Sequence, residues 1–147
     1  MIRKNTAFYQ KSLRLEPISP NLSPIQAILS VRSIRRARSV LRLSQSDLGK
    51  AIGRILESEP VEQGTISLWE SGEKKTDDAY IQAVGRLLAT WLAKAMGRDD
   101  VALFRIAHSS PWKVIPAAKC RCGKWYRLRS KRQFDCGAHI ASQKHKR

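Results

Sequence analysis

The sequence has no long apolar run and few acidic residues. No segment approaches the roughly 18 consecutive apolar residues that a membrane-spanning helix needs. The basic start, residues 1–17, lacks the apolar stretch of a secretory signal, so we expect an intracellular protein. Asp and Glu number 12 against 28 Lys and Arg, a formal net charge of +16. This excess predicts a polyanionic partner, and since the basic segments lack a broad apolar face, nucleic acid is favoured over a membrane.

Signatures of catalysis are missing as well. There is no phosphate-cradling glycine loop after a strand, no His-Glu metalloprotease pair, and no nucleophile with a base at a readable spacing. Cysteine is scarce, and all 3 cysteines fall between residues 120 and 136. In a chain expected to be intracellular, this cluster favours a metal site over disulfides. We therefore expect a binding protein and not an enzyme.

The positive charge is concentrated at the two ends. Lys and Arg against Asp and Glu number 9 and 1 in residues 1–43, 7 and 10 in residues 44–100, and 12 and 1 in residues 101–147. The central region is thus slightly acidic. Contacts with phosphates are predicted to come from the flanks.

The stretch from Ser44 to Gly72 predicts two short helices. Ser44, followed three residues later by Asp47, resembles a capping box, so a helix should begin at Gln45. A second helix should begin near residues 61–62 and end at Gly72, with Trp69 facing inward. Two such helices are the geometry of a helix-turn-helix, whose second helix lies in a DNA major groove.

The strings LSQSDLGKAI and QGTISLWESG resemble helices two and three of the phage-repressor helix-turn-helix. The long interval between them, and the later LATWLAKA, look closer to POU-specific domains. The resemblance covers residues 24 to 96 approximately and implies a mainly α, four- to five-helix domain that reads double-stranded DNA. It places the DNA-contacting positions at Gln45, Gln63, Gly64, Ser67 and Leu68.

Glutamine suits this role because its amide pairs with adenine N6 and N7. Gln63 is the expected base-reading residue, and Gln45 the expected support for a phosphate and base contact. Gly64 and Leu68 stand where POU-specific domains usually have polar or basic residues, so a target sequence does not carry over.

The resemblance also implies a partly buried ion pair between Arg38 and Glu70 that locks helix one to helix three. Removing either partner would strand a charge. Arg42 is predicted to contact a phosphate, because it lies beside the start of the second helix.

The remaining pattern suggests four regions: a basic arm (1–22), the DNA-binding domain (23–107), a linker (108–118) and a zinc finger (119–147). Ser23 before Pro24 predicts a helix start, and whether one helix or two follows is open. A helix capped at residues 76–78 should run to Gly97, with a further short helix over Val101–Ala107.

The last 28 residues are too few to build a core without a staple, and zinc would supply one. Cys120, Cys122, His139 and His145 resemble the Cys/Cys/His/His ligands of matrin-type fingers. A rival site uses Cys136 in place of His145. An unfolded tail with free thiols is the third interpretation.

The leading hypothesis is a sequence-specific DNA-binding transcriptional regulator with a zinc-stapled C-terminal module, nuclear in a eukaryote. A phage- or plasmid-type repressor or antitoxin, in the cytoplasm or nucleoid, is the alternative with the same chemistry. RNA binding or adaptor work through the finger is the alternative from another class. A single domain of this type binds a short site, so the finger or a homodimer would have to extend it.

Overall fold

The computed structural model describes residues 22–105 and 110–129, which form five helices followed by a small sheet. The elements are α1 (Pro24–Leu29), α2 (Ile34–Leu41), α3 (Gln45–Leu56), α4 (Gln63–Ser71), α5 (Asp78–Met96), β1 (Val101–Arg105), β2 (Val114–Lys119) and β3 (Trp125–Arg127). The strands are antiparallel in the order β1-β2-β3. The described part is therefore mostly helical, as expected, with a sheet in addition. None of the helices in these ranges is both long and apolar enough to cross a membrane.

Short polar side chains set the helix starts. The Ser23 hydroxyl accepts from the Gln26 backbone N–H, the Gln26 side chain returns the bond, and Pro24 takes the first helical position. The Ser44 hydroxyl accepts from the Asp47 N–H at 3.0 Å, which confirms the predicted start of α3. Between these helices Ser33 caps α2, so the N-terminal arginine-rich stretch forms two helices and not one.

Glycine sets two helix ends. Gly72 and Gly97 adopt left-handed conformations, with φ of 81° and 65°, directly after α4 and α5. Both ends were predicted from the sequence. The left-handed conformation is nearly free of steric cost for glycine, which explains why these residues stop their helices.

Two glycines inside α3 shape its connection to α4. A Cβ at Gly49 would overlap the carbonyl oxygen of Val61, and one at Gly53 would lie 2.9 Å from the Cα of Pro60. The connection is also hydrogen-bonded there, with Val61 N–H donating to the Gly49 carbonyl at 3.1 Å. Glycine within a helix costs about 1 kcal/mol relative to alanine. Here it allows the connection to lie directly on α3 and so fixes where α4 begins.

One hydrophobic core joins the helices to the sheet. Its fully buried members include Leu48 and Ile52 of α3, Ile66 of α4, and Leu88 and Leu92 of α5. Trp69 belongs to this core, as predicted, and its ring lies 4.9 Å from that of Tyr80. Trp91 is half-buried and packs against the same cluster.

Two sequence-based predictions fail in the C-terminal half. The expected helix over Val101–Ala107 is wrong, since residues 101–105 form β1, and the expected linker at 108–118 contains β2. Ala118, Tyr126 and Leu128 lie in the same core as the helices. The strands bury one face against α1 and α5, and this tertiary burial outweighs the weak helical pattern of five residues.

Pro116 explains why β2 was mistaken for a linker. Proline cannot donate to a strand ladder and is unusual in a central strand. Here its carbonyl accepts from the N–H of Leu128 at 2.9 Å, just beyond the end of β3. Because the N–H and C=O of one strand residue point to the same side, the missing donor faces a position where β3 has ended.

Candidate nucleic-acid interface

A buried ion pair links α2 to α4. Arg38 Nε donates to Glu70 Oε1 at 2.7 Å, and the side chains are only 1% and 7% exposed. Arg38 also donates through Nη1 to the Leu43 carbonyl at 3.1 Å. The predicted pair is thus present, and its second hydrogen bond ties it to the start of the next helix.

Two glutamines extend this pair to the protein surface. Gln45 Nε2 donates to Glu70 Oε2, the carboxylate oxygen that Arg38 leaves available. Gln63 Nε2 donates to Gln45 Oε1 at 3.4 Å. The four side chains, Arg38, Glu70, Gln45 and Gln63, form what we call the polar relay.

The position of the relay follows from helical spacing. Gln63 and Glu70 are seven residues apart in α4, which is about two turns, so both lie on the same side of the helix. Gln45 is the first residue of α3, immediately after its cap Ser44. The relay therefore fixes the beginning of α4 against the beginning of α3.

The outer side of α4 carries four of the five positions that the resemblance predicts to contact DNA. Gln63, Gly64, Ser67 and Leu68 are all exposed. Gly64 faces open space, with no heavy atom within 4 Å of where a Cβ would stand. The core side of the same helix is occupied by Ile66 and Trp69. The helix thus offers a shallow surface with one amide, one hydroxyl and one apolar group.

Gln45 lies in a different setting from the one expected. It was predicted to support a phosphate and base contact, but it is 5% exposed, and both ends of its amide are bonded within the protein. Its side chain turns inward because the Glu70 carboxylate offers it a charge-assisted hydrogen bond. In this arrangement Gln45 orients Gln63.

Arg42 occupies the junction between α2 and α3. It is exposed and adopts a left-handed conformation with φ of 55° as the C-cap of α2. Three exposed glutamates, Glu57, Glu59 and Glu62, lie in the connection before α4. The connection before α4 is therefore acidic, whereas Arg42 places a positive charge before the opposite end of α3.

The two cysteines in the described ranges occupy one hairpin turn. Gly123, with φ of 90°, donates to the Cys120 carbonyl, and Cys120 N–H donates to the Lys124 carbonyl, both at 2.8 Å. This is a short hairpin loop closed by a glycine bulge. Cys120 is buried in the core, whereas Cys122 is exposed.

The described ranges contain no group of three His, Cys, Asp or Glu that could hold a metal ion. The other predicted ligands, His139 and His145, and the rival ligand Cys136, lie outside the described residues.

Sequence reasoning missed a second arginine pair, next to the sheet. Arg98 donates to both carboxylate oxygens of Asp100, at 2.9 and 2.7 Å, and to the Tyr126 hydroxyl at 2.9 Å. The hydrogen bond from Arg98 lowers the pKa of Asp100, and the same bond raises the pKa of Arg98. The available signal was the GRDD string directly after α5, which places an arginine two residues before an aspartate.

Comparison with known proteins gives no match: none of the protein-family models, curated proteins or solved structures searched is similar to this chain.

Proposed function

We propose that the protein is a sequence-specific double-stranded DNA-binding transcriptional regulator, with α3 and α4 as a helix-turn-helix of the repressor/POU-specific type. In this proposal α4 lies in the major groove. The observation that carries it is the polar relay, which holds the start of α4 and leaves Gln63, Gly64, Ser67 and Leu68 exposed on one side.

Base reading is assigned to Gln63. Its Nε2 bond to Gln45 uses one amide hydrogen and leaves the amide oxygen and a second hydrogen for adenine N6 and N7. A side chain that is already held by a hydrogen bond before binding loses less conformational entropy when it contacts the base edge. Ser67 and Leu68, about one turn further along α4, would meet neighbouring base pairs through a hydroxyl and an apolar contact.

Phosphate contacts are assigned to Arg42 and to the basic flanks. Arg42 directly follows α2 and lies three residues before the first residue of α3. Such contacts do not depend on the base sequence. They weaken steeply as the salt concentration rises, because the release of counterions on binding then becomes less favourable.

The test begins with a selection of binding sites from random duplexes. Affinities of the variants Gln63→Ala and Arg42→Ala are then measured on the selected duplex and on a scrambled one. Gln63→Ala should lower affinity for the selected duplex alone, by roughly tenfold for one lost bidentate pair. Arg42→Ala should weaken both duplexes alike and reduce the salt dependence.

The controls are Gln82→Ala and Arg86→Ala, which remove the same residue types from exposed positions of α5. Neither should change the ratio of the two affinities. Equal losses on both duplexes for Gln63→Ala would refute the base-reading role.

We further propose that the turn at residues 120–124 supplies half of a zinc site. Cys120 and Cys122 flank a single residue, and the glycine bulge brings both into one tight loop. Tetrahedral zinc needs four ligands, so His139 with His145, or Cys136 with His139, would complete it. Burial of Cys120 would equally suit a thiol that only packs in the core.

Native mass spectrometry of the whole chain distinguishes these roles of the cysteines. The zinc proposal expects one bound Zn²⁺ that is lost in Cys122→Ser, whose side chain is exposed and whose replacement spares the core. Comparing His139→Ala, His145→Ala and Cys136→Ser then identifies the other ligands. If the wild-type chain and all the variants carry no bound Zn²⁺, the zinc site is refuted.

A further inference from the structure

One face of the sheet presents exposed aromatic and basic side chains. The pairing register places Phe104 opposite Ile115, Ala117 opposite Arg127, and Lys119 opposite Trp125. Residues paired in this way point to the same side, so one face, which we call the outer sheet face, carries Phe104, Ile115, Ala117, Lys119, Trp125 and Arg127. The opposite face carries Val114, Ala118 and Tyr126 of the core.

Two aromatic rings stand exposed on the outer sheet face. Phe104 is 44% and Trp125 is 49% exposed, and their ring centroids lie 5.3 Å apart at an interplanar angle of 77°. They belong to the two edge strands and meet across β2, where the small Ala117 leaves room between them. The rings support each other edge to face, which leaves ring surface open to a third flat group.

The charge on this sheet is entirely positive. None of the residues in β1, β2 and β3 is acidic, while Lys119 and Arg127 are exposed on the outer sheet face beside Trp125. Lys124 is exposed in the adjacent turn. Exposed aromatic rings among cations, without an acidic residue on the strands, complement a partner that is both anionic and aromatic.

Single-stranded nucleic acid has this chemistry. Its unpaired bases stack on aromatic side chains, and its phosphates pair with Lys and Arg. A duplex keeps its base faces stacked inside, so it would use the cations but not the rings. A protein partner would suit the rings, but charged residues such as Lys are depleted at the centre of protein interfaces.

We propose that the outer sheet face binds single-stranded RNA or DNA by stacking a base on Trp125, with Phe104 supporting the ring and Lys119 and Arg127 holding the phosphates. This surface is separate from α4 and does not depend on the duplex-binding proposal. One molecule would then carry a duplex-reading helix and a single-strand platform.

The test uses fluorescence anisotropy of the full chain with labelled 12-nucleotide oligo(U) and oligo(dT) at several salt concentrations. Trp125→Ala should weaken binding to both oligonucleotides roughly tenfold, the usual effect of losing one stacked base. Trp125→Phe should retain most of the affinity, because it keeps a ring. Lys119→Ala should reduce the salt slope by about 0.7, as expected for one phosphate contact on a single strand.

Leu68→Ala is the matched control, since it removes another large exposed apolar side chain from a different surface. It and Gln63→Ala should leave oligonucleotide binding unchanged, whereas Trp125→Ala should leave the preference for the selected duplex unchanged. Circular dichroism and urea unfolding establish that each variant is folded.

Equal oligonucleotide affinities for wild type, Trp125→Ala and Leu68→Ala would overturn the proposal. Light scattering that shows a dimer dispersed by Trp125→Ala, without Trp125-dependent oligonucleotide binding, would also overturn it by assigning the face to a second copy of the chain. The duplex preference of Gln63→Ala tests only the proposal for α4, and the oligonucleotide affinity of Trp125→Ala tests only the proposal for the sheet. Either proposal can therefore be refuted without the other.

Discussion

Two arginine–carboxylate pairs in the described ranges contain a buried arginine, and they lie in different surroundings. Arg38 and Glu70 are buried on both sides of their bond, whereas Asp100 leaves 38% of its side chain exposed beside the buried Arg98. The first pair continues through Gln45 to Gln63 on the surface of α4, and the second is hydrogen-bonded to Tyr126 in β3. Similar chemistry therefore orients a candidate reading side chain in one region and attaches the sheet to the helices in the other.

The two pairs differ in the cost of the charge that remains when one partner is removed. A buried charge without its partner keeps its full desolvation cost, whereas a solvent-exposed carboxylate is screened by water and salt. The helix pair should thus be sensitive to any change in the relay, and the sheet should tolerate changes at Asp100.

The largest effect is expected from Glu70→Ala. It strands the Arg38 guanidinium in the core and removes the acceptor of Gln45, so the free energy of unfolding should fall by about 3–5 kcal/mol. Urea unfolding followed by tryptophan fluorescence measures this. Asp78→Ala, which breaks the exposed pair with Arg105, is the control and should have little effect.

A double replacement sharpens the same comparison. Arg38→Met with Glu70→Leu removes both charges and should recover most of the stability lost in Glu70→Ala, since apolar residues can replace a buried pair. It should not recover duplex preference, because Gln45 then lacks its acceptor. Recovery of both properties would mean that the relay stabilises α4 without orienting Gln63.

The next largest effect is expected from Gly49→Ala. Its Cβ would overlap the Val61 carbonyl, so the connection must move, and overpacking of this kind costs about 1–3 kcal/mol. Gly85→Ala is a matched control in α5, where a Cβ meets no atom within 4 Å. That variant should gain about 0.5–1 kcal/mol from helix propensity. Thermal unfolding of the two variants should move in opposite directions.

The smallest effect is expected from Asp100→Asn, about 1 kcal/mol after allowance for solvent screening. The pKa of Asp100 is lowered in the folded protein from its ordinary 3.8, mainly by the hydrogen bond from Arg98. Its contribution is therefore present above pH 3.8 and is lost as the pH falls through the lower folded value. The difference in the free energy of unfolding between wild type and Asp100→Asn should narrow in acid.

The helical half was largely predictable from its sequence, because its signals are local. Ser44, Gly72 and Gly97 mark helix ends by their own side-chain or backbone chemistry, whatever the rest of the chain does. The Arg38–Glu70 pair has no local signal, because its two residues lie on different helices. It was implied only by the resemblance, which supplies the arrangement of those helices.

The sheet was not predictable in the same way. Residues 101–105 are few and show no strict alternation of apolar and polar side chains. Pro116 argues against a central strand, and only the structure shows that β3 ends before the position that its missing N–H would face. The inward turn of Gln45 depends on a carboxylate from another helix, which spacing alone does not reveal. The glycines of α3 did carry a signal, since two of them four residues apart in a helix indicate a close backbone contact.

The most direct test of the central claim, that the polar relay orients Gln63 for base reading, is a double-mutant cycle. The ratio of affinities for the selected and scrambled duplexes is measured for wild type, Gln45→Ala, Gln63→Ala and the double variant, each shown to be folded. Each single change should lower the ratio roughly tenfold, and the double variant should lower it no further, because both act on one base contact. An unchanged ratio in Gln63→Ala, or independent losses that multiply in the double variant, would contradict the account.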